Sequence, residues 1–314
     1  MQINIALDNM EKGEEGLDKA YDDTVNRIEN RGKGIRELAK KALFWIVSAK
    51  RPLTTKELKH ALAIEPGTCK LDKTNLCPVK DVVSSCAGLV TVDSNIIRLV
   101  HYTTQEYFQR HGSKSFEDVQ RDIIATSCLT YLSYDVFAHG YLAEWRLKSR
   151  LQQNAFFEYA AQNWAYHIQD MPETVRDLAL RFLMDDRKAS ASSQVLSFRY
   201  SPGPHFLNGM HLVAYFGLSD IVMRLSQEKD PDTKDGFGRT PLSYAVEKQN
   251  ARLVELLLDY NVDLYSECED GWTPFSRAIE EGNAAVIKII LAKGAKIDYR
   301  YKLVRISNCM RMDV

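Results

Sequence analysis

The C-terminal part of the chain repeats itself at a fixed spacing. Residues 238–245 read GRTPLSYA and residues 271–278 read GWTPFSRA, a shift of 33 residues. In each copy a Thr can cap a helix, and a Pro follows at the first helical position, where no N–H is needed. A second apolar run follows each copy, at residues 253–258 and 286–291. This pattern predicts stacked helix pairs, because one pair alone cannot bury its apolar face.

A weaker copy comes before these two. Residues 209–225 follow the same plan, with Gly209 in place of the Pro. The period and the Thr-Pro-Leu motif are similar to ankyrin repeats, and the resemblance covers residues 205–300, about three repeats. It implies that His211 hydrogen-bonds the turn of the neighbouring repeat. The pattern then ends, so we expect an irregular tail over residues 301–314.

Two positions in the repeats depart from the pattern. Gln249 stands where the neighbouring copies have Gly217 and Gly282, and Asn261 replaces a later Gly. A Gly at the end of a helix usually adopts the left-handed conformation, which Asn also enters more readily than most residues. Asn261 is therefore tolerable at its position, whereas Gln249 is a departure from the repeat pattern.

The chain upstream of the repeats begins with helical periodicity. Apolar residues recur at helical spacing in residues 17–28 and 38–49, and Arg51-Pro52 stops the second of these helices. Thr54 and Glu57 form a capping box that predicts the start of another short helix.

The spacing of the apolar residues then changes from a helical to a strand pattern. After a short helix predicted within residues 79–87, residues 89–93 and 96–101 flank a Ser94-Asn95 turn and read as a β-hairpin. Three helices followed by a hairpin is the order of a winged helix-turn-helix.

Helical periodicity resumes after the hairpin, and a stretch rich in Ser and Pro precedes the repeats. The predicted fold is mainly α: a winged helix-turn-helix plus a helical extension, then an ankyrin-repeat α-solenoid. The predicted domains are a winged-helix domain with a preceding helix (15–112), a helical extension (113–189), a linker (190–204), the ankyrin repeats (205–300) and the tail (301–314).

Motifs in the upstream part form an ordered set. They are residues 16–21 (GLDKAY), 42–45 (ALFW), 51–54 (RPLT), 86–90 (CAGLV), 99–108 (LVHYTTQEYF) and 156–164 (FFEYAAQNW). The set resembles the winged-helix segment after the NACHT nucleotide-binding domain in fungal NLR-like (STAND) ankyrin proteins. That segment is also named after GPI inositol-deacylase, a name that is no evidence of activity. The resemblance implies that the winged helix helps to hold a P-loop ATPase off until the ankyrin array binds a ligand.

The ATPase part of that family has no counterpart in this sequence. The P-loop pattern GxxxxGK[ST] does not occur. We interpret the chain as the C-terminal part of such a protein, with the NACHT ATPase absent and both ends cut. Whether it is a free-standing product or a fragment stays open at this point.

Motifs for catalysis are also missing. Neither GxSxG nor HExxH occurs, and the seven His lack the spacing of metal ligands. Cys86 with His101 could form a thiol–imidazole pair, but a buried Cys usually behaves as a small apolar residue. We therefore expect no enzyme activity, no cofactor and no metal.

The charge balance bears on the kind of partner. A formal net charge of -1 provides no basic field for nucleic acid or an anionic membrane. The candidate recognition helix offers only Lys80 and Asp81 as charged residues, so DNA binding by the winged helix is the alternative rather than the main hypothesis. Sparse Cys and the lack of a leader or a long apolar run predict a cytoplasmic protein, with the nucleus as a second option.

The function predicted from these observations is a non-enzymatic protein–protein interaction module, an adaptor or the ligand-sensing half of an NLR-like signalling protein. It would bind its partner on the concave ankyrin face through turn tips and outward positions of the first helices. The candidate residues are Phe237, Arg239, Tyr244, Lys248, Asp270, Trp272, Arg277 and Glu281. Phe237 and Trp272 are the expected anchors, since large aromatic residues dominate interface energetics. An alternative, weighted equally, is that both rings pack on the adjacent turn.

Overall fold

The computed structural model describes residues 2–115, 122–168, 172–197 and 206–295. In these ranges the chain is mainly helical, as the sequence predicts. They form two compact units: one holds the residues up to Asp135 with Trp145–His167, and the other holds Val136–Glu144 and the residues from Ile168 onwards. None of the helices in these ranges combines the length and the apolar character needed to cross a membrane.

The first unit contains the predicted winged helix. Its elements are α1 (Gln2–Glu29), α2 (Lys33–Ser48), β1 (Leu53–Thr54), α3 (Thr55–Leu62), α4 (Val79–Ser85), β2 (Val90–Asp93), β3 (Ile96–Leu99), α5 (Tyr102–Ser115), α6 (Ile123–Leu132), α7 (Glu144–Gln153) and α8 (Phe157–His167). The strands form one antiparallel sheet in the order β1-β3-β2. Helices α2 to α4 followed by the β2–β3 hairpin give the winged-helix order.

The local signals that predicted this unit are present in the structure. The Thr54 hydroxyl accepts a hydrogen bond from the Glu57 N–H at 3.2 Å, and the Glu57 carboxylate accepts one from the Thr54 N–H at 2.7 Å. Ser94 and Asn95 have φ of 48° and 73°, as a tight hairpin turn requires. Strand β1 was not predicted; its Leu53 pairs with Ile97 of β3.

The second unit contains the predicted helix pairs. Its helices are α9 (Glu173–Met184), α10 (Asp186–Ser197), α11 (Gly209–Phe216), α12 (Ser219–Leu225), α13 (Pro241–Glu247), α14 (Ala251–Asp259), α15 (Pro274–Glu281) and α16 (Ala284–Ala292). First helices α11, α13 and α15 pack in series, and second helices α12, α14 and α16 pack in a parallel series. The described repeats therefore form two helical layers joined by stacked turns.

The region before the repeats differs from the predicted domain boundaries. Helix α10 continues to Ser197, so the first part of the predicted 190–204 linker is helical. Its small side chains Ala191, Ser192 and Ser193 are buried, which lets it pack closely on α9 and α11. The predicted 113–189 extension is divided, since α9 belongs to the unit of the repeats. Residues 198–204 and the tail 301–314 lie outside the described residues.

The weak first repeat has a structural explanation. Its N-terminal neighbour is the α9–α10 pair, and a Cβ added at Gly209 would overlap the carbonyl oxygen of Leu183 in α9. The Pro found at this position in the other copies would clash in the same way. Ion pairs of Arg224 with Glu173 and Asp177 also join α12 to α9. The α9–α10 pair thus covers the first end of the solenoid.

Candidate partner-binding face

The turns between repeats bring the predicted anchor residues into one ladder. In the first turn, Asp235 Oδ1 accepts hydrogen bonds from the N–H groups of Phe237 and Arg239, both at 2.8 Å. The Glu269 N–H of the next turn donates to the Phe237 carbonyl at 2.9 Å. Successive turns are therefore fixed side by side. We call the surface formed by residues 234–239, residues 267–272 and the side chains of Glu247, Lys248, Arg277, Glu280 and Glu281 the turn face.

The helices behind the turn face start where the repeat pattern predicts. Thr240 and Thr273 each cap a helix in a capping box with a Ser, Ser243 and Ser276, and a Pro occupies the first helical position. These caps fix the direction in which each first helix leaves its turn.

The first copy uses His211 in place of that Ser. Its Nε2 donates to the Arg239 carbonyl at 3.1 Å, which confirms the predicted bond to the neighbouring turn. Burial lowers the pKa of His211 to about 4, outweighing the carboxylate of Asp235, which acts in the opposite direction. The ring is therefore neutral at physiological pH and serves as a structural bridge between repeats.

Tyr244 does not have the outward position expected from the sequence. Its side chain is only 4% exposed, and its hydroxyl donates to Asp235 Oδ2 at 2.6 Å. Burial raises the pKa of Tyr244, so the phenol stays protonated. The long ring reaches from the first helix back to the turn, where it supports the face from beneath rather than presenting itself to a partner.

Two cations of the turn face lie over aromatic rings of the same repeat. The Arg239 guanidinium is 4.2 Å from the centre of the Tyr244 ring and forms an ion pair with Glu247. The Arg277 guanidinium is 4.9 Å from the Trp272 ring. Burial alone would lower the pKa of Arg239, but Tyr244 and Glu247 raise it overall, so the group stays charged.

The other predicted residues lie at the surface. Lys248, Asp270 and Glu281 are exposed, and the Lys248 ammonium is 4.3 Å from the ring of Tyr215 in the preceding repeat. Phe237 and Trp272 are partly buried. Each anchor side chain thus keeps some exposed area, and the choice between the two interpretations of these rings stays a prediction.

Sequence reasoning placed Glu269 among the turn tips but missed two other carboxylates of the turn face. Glu267 and Glu280 are exposed beside the predicted residues. A comparison of equivalent positions in the two good copies, rather than a search for motifs, would have found them.

The described residues of the winged helix bear on the two alternatives considered above. Cys86 is buried, and burial raises the pKa of its thiol to about 11, which disfavours a thiolate nucleophile. On α4 the exposed charged residues are Lys80 and Asp81, which carry no net charge between them. Within the described ranges, no three His, Cys, Asp or Glu side chains are grouped so that they could hold a metal ion.

Together the two units define a protein with a winged helix followed by a helical-repeat array. Comparison with protein-family models agrees with this description. Residues 27–120 match the model of the GPI inositol-deacylase, winged helix domain, and residues 210–301 match ankyrin repeats in three copies. No curated protein matches the chain. The chain therefore has a winged-helix domain of this type followed by three ankyrin repeats, which are non-catalytic modules that typically bind proteins.

Proposed function

We propose that this chain is a non-enzymatic interaction module that binds a partner protein through the turn face of its ankyrin repeats. The observation that carries the proposal is the placement of Phe237 and Trp272. Both are large aromatic residues on stacked, hydrogen-bonded turns, and both retain exposed area. Preorganised aromatic residues of this kind are typical binding hot spots, since little side-chain freedom is lost on association.

The proposed contact set adds Lys248, Asp270, Arg277 and Glu281 to the two anchors as polar contacts at the rim. Arg239 contributes through its exposed fraction, and Tyr244 acts indirectly by supporting Arg239 and the turn. No covalent step is involved. Binding is driven by burial of the aromatic rings and tuned by the charges around them.

The biological role that fits this module is an adaptor, or the ligand-sensing half of an NLR-like (STAND) signalling protein in the cytoplasm or nucleus. The order of a winged helix followed by ankyrin repeats supports it. In the second case a NACHT ATPase would lie on a longer natural product. Determining the intact mass of the endogenous protein tests this: a mass near 35.8 kDa favours the adaptor, and a much larger one favours the sensing half.

Partner capture by the full chain tests the proposed face. Tagged wild-type protein is compared with Phe237→Ala/Trp272→Ala and with a matched control, Met223→Ala, which removes an exposed apolar side chain from the second-helix layer. We expect the double variant to lose the captured protein and the control to retain it, with unchanged circular dichroism in both. Capture that survives in the folded double variant would show that the turn face is not the binding surface.

A further inference from the structure

The two good repeats carry opposite charge at equivalent positions of the turn face. Five positions are compared by applying the 33-residue shift; four of them become acidic in the third repeat, and one holds Glu in both repeats. The second repeat has Lys234, Gly236, Phe237, Glu247 and Lys248, whereas the third has Glu267, Glu269, Asp270, Glu280 and Glu281. The formal charge of this set changes from +1 in the second repeat to -5 in the third.

The turn does not require the acidic residues at positions 267, 269 and 270. The second-repeat turn closes with the Asp235 N–H donating to the Arg239 carbonyl at 2.9 Å, and the third closes with Cys268 donating to Trp272 at 3.0 Å. The same turn therefore forms with Lys, Gly and Phe at the positions that hold carboxylates in the third repeat.

Four of the acidic side chains are also available for binding. Glu267, Glu269, Asp270 and Glu281 are exposed, and their carboxylates make no hydrogen bond or ion pair within the described part of the chain. Like charges this close, well within a Debye length of about 10 Å at 0.1 M salt, repel one another. A cationic partner relieves that repulsion, and complementary charge speeds association and improves specificity.

Carboxylate positions of the third repeat lie near an aromatic anchor. In the second repeat the Arg239–Glu247 ion pair shows that the side chain at position 247 reaches the last residue of the turn. The equivalent pair of positions in the third repeat is Glu280 and Trp272, so the repeat pattern places a carboxylate position near the partly exposed indole, in addition to Asp270 two residues before it. Arg277 stacks on that ring and leaves the net charge of the surface strongly negative.

We infer that the third-repeat part of the turn face binds a Lys- and Arg-rich peptide segment of the partner protein, with one apolar side chain of the segment packed against Trp272. This inference rests on the proposed function and adds the chemical class of the partner. Nucleic acids and anionic membranes are excluded from this surface, because their phosphates would be repelled.

Binding of synthetic peptides to the full chain tests the inference. The probe is a fluorescein-labelled peptide of 12 residues that alternates Lys and Arg around a single central Leu, and its matched counterpart has every Lys and Arg replaced by Glu. We expect the basic probe to bind, with affinity falling about tenfold between 50 and 200 mM salt, and the acidic probe not to bind. Equal binding of both probes, or of neither, would overturn the inference.

Charge-reversal variants test whether the basic probe binds at the turn face or is attracted only by the net charge of the whole protein. Glu269→Lys/Asp270→Lys is compared with Glu228→Lys/Glu255→Lys, an identical charge change at exposed positions away from the turn face. We expect the first pair to weaken basic-probe binding at least about tenfold and the second pair to change it less than about twofold. Equal losses would show that net charge alone attracts the probe, which contradicts the inferred site.

The same variants distinguish this inference from the proposed function. If Phe237→Ala/Trp272→Ala abolishes partner capture while Glu269→Lys/Asp270→Lys leaves it intact, the protein-binding face stands and the basic-segment inference is wrong. If neither variant affects partner capture, the proposed function and the basic-segment inference are both wrong. If both variants lose partner capture, the result supports the proposed function and the inference.

Discussion

Arg277 lies over the indole ring of Trp272 at 4.9 Å, and one repeat earlier the equivalent positions hold Tyr244 and Arg239 with ring and cation exchanged, at 4.2 Å. The contact between a cation and a ring is retained although both residues differ. The space between a turn and its first helix therefore accepts this pair in either order. Such contacts contribute about 0.5–1 kcal/mol at exposed sites and about 2 kcal/mol when desolvated.

The exchange of ring and cation between the two repeats predicts a measurable coupling free energy between positions 272 and 277. Trp272→Arg alone places two cations together, and Arg277→Tyr alone places two rings together. The double variant Trp272→Arg/Arg277→Tyr recreates the second-repeat order, so we expect it to be more stable than the sum of the single effects by about 1 kcal/mol. Urea unfolding of the four proteins measures the coupling. Strictly additive effects would show that the two side chains do not act as a pair.

The contact of the first repeat with α9 predicts a strong effect at Gly209. In Gly209→Ala the new Cβ overlaps the Leu183 carbonyl oxygen, so the free energy of unfolding should fall by about 2 kcal/mol or more. Gly34→Ala is the control, because nothing lies within 4 Å of its Cβ position in helix α2. It should be neutral or slightly stabilising, since Ala is the better helix former. Thermal unfolding of the two variants and the wild type measures these effects. Similar melting temperatures for Gly209→Ala and Gly34→Ala would contradict the packing described for α9.

The helix end at Gln249 predicts a stabilising substitution. Gln249 has φ of 54°, in the left-handed region where the equivalent Gly217 and Gly282 have φ of 73° and 67°. Gln249→Gly should therefore raise the free energy of unfolding by about 1 kcal/mol, because the steric cost of a side chain there is removed. Gln249→Ala, which keeps the Cβ, is the matched control and should show no such gain. Equal stability of the two variants in urea would indicate that the backbone at this position is unstrained.

The buried His211 predicts acid sensitivity of the repeats. Its pKa is about 4 in the folded state against about 6.5 when unfolded, so the unfolded chain binds the proton more readily between these values. The stability that the neutral ring contributes is present above about pH 6.5 and is lost as the pH falls towards 4.

His211→Ser tests this, since Ser occupies the equivalent positions 243 and 276. At pH 7.5 the variant should be less stable than the wild type, because the bond to the Arg239 carbonyl is lost. The difference should narrow as the pH falls towards 4.5. Stability curves that stay parallel over this range would mean that His211 does not titrate on unfolding.

The sequence predicted the parts of this fold that rest on local rules. The Thr54–Glu57 capping box, the Ser94-Asn95 turn and the caps at Thr240 and Thr273 are set by a few neighbouring residues, and all are present. Their physical basis lies within one turn of the chain, which is why pattern and spacing suffice to find them.

The predictions that were wrong depended on side-chain burial and on packing between segments that are far apart in the sequence. Helical position placed Tyr244 on the outer side, but its length lets it reach Asp235 and become buried. Residues 190–197 have the small, polar composition of a linker, and the same small side chains suit a helix that packs closely on its neighbours. The candidate surface was only partly predicted. The acidic character of the third repeat becomes evident only when Glu269 is compared with Gly236, which occupies the equivalent position one repeat earlier.

The close approach of Gly209 to Leu183 also bears on how such an array can grow by gene duplication. A copied repeat inserted between α10 and α11 would bring the usual Pro against the Leu183 carbonyl and would not fit. A copy inserted after the first repeat meets only other helix pairs of its own kind. The junction therefore favours insertion of Pro-containing copies after the first repeat over insertion before it.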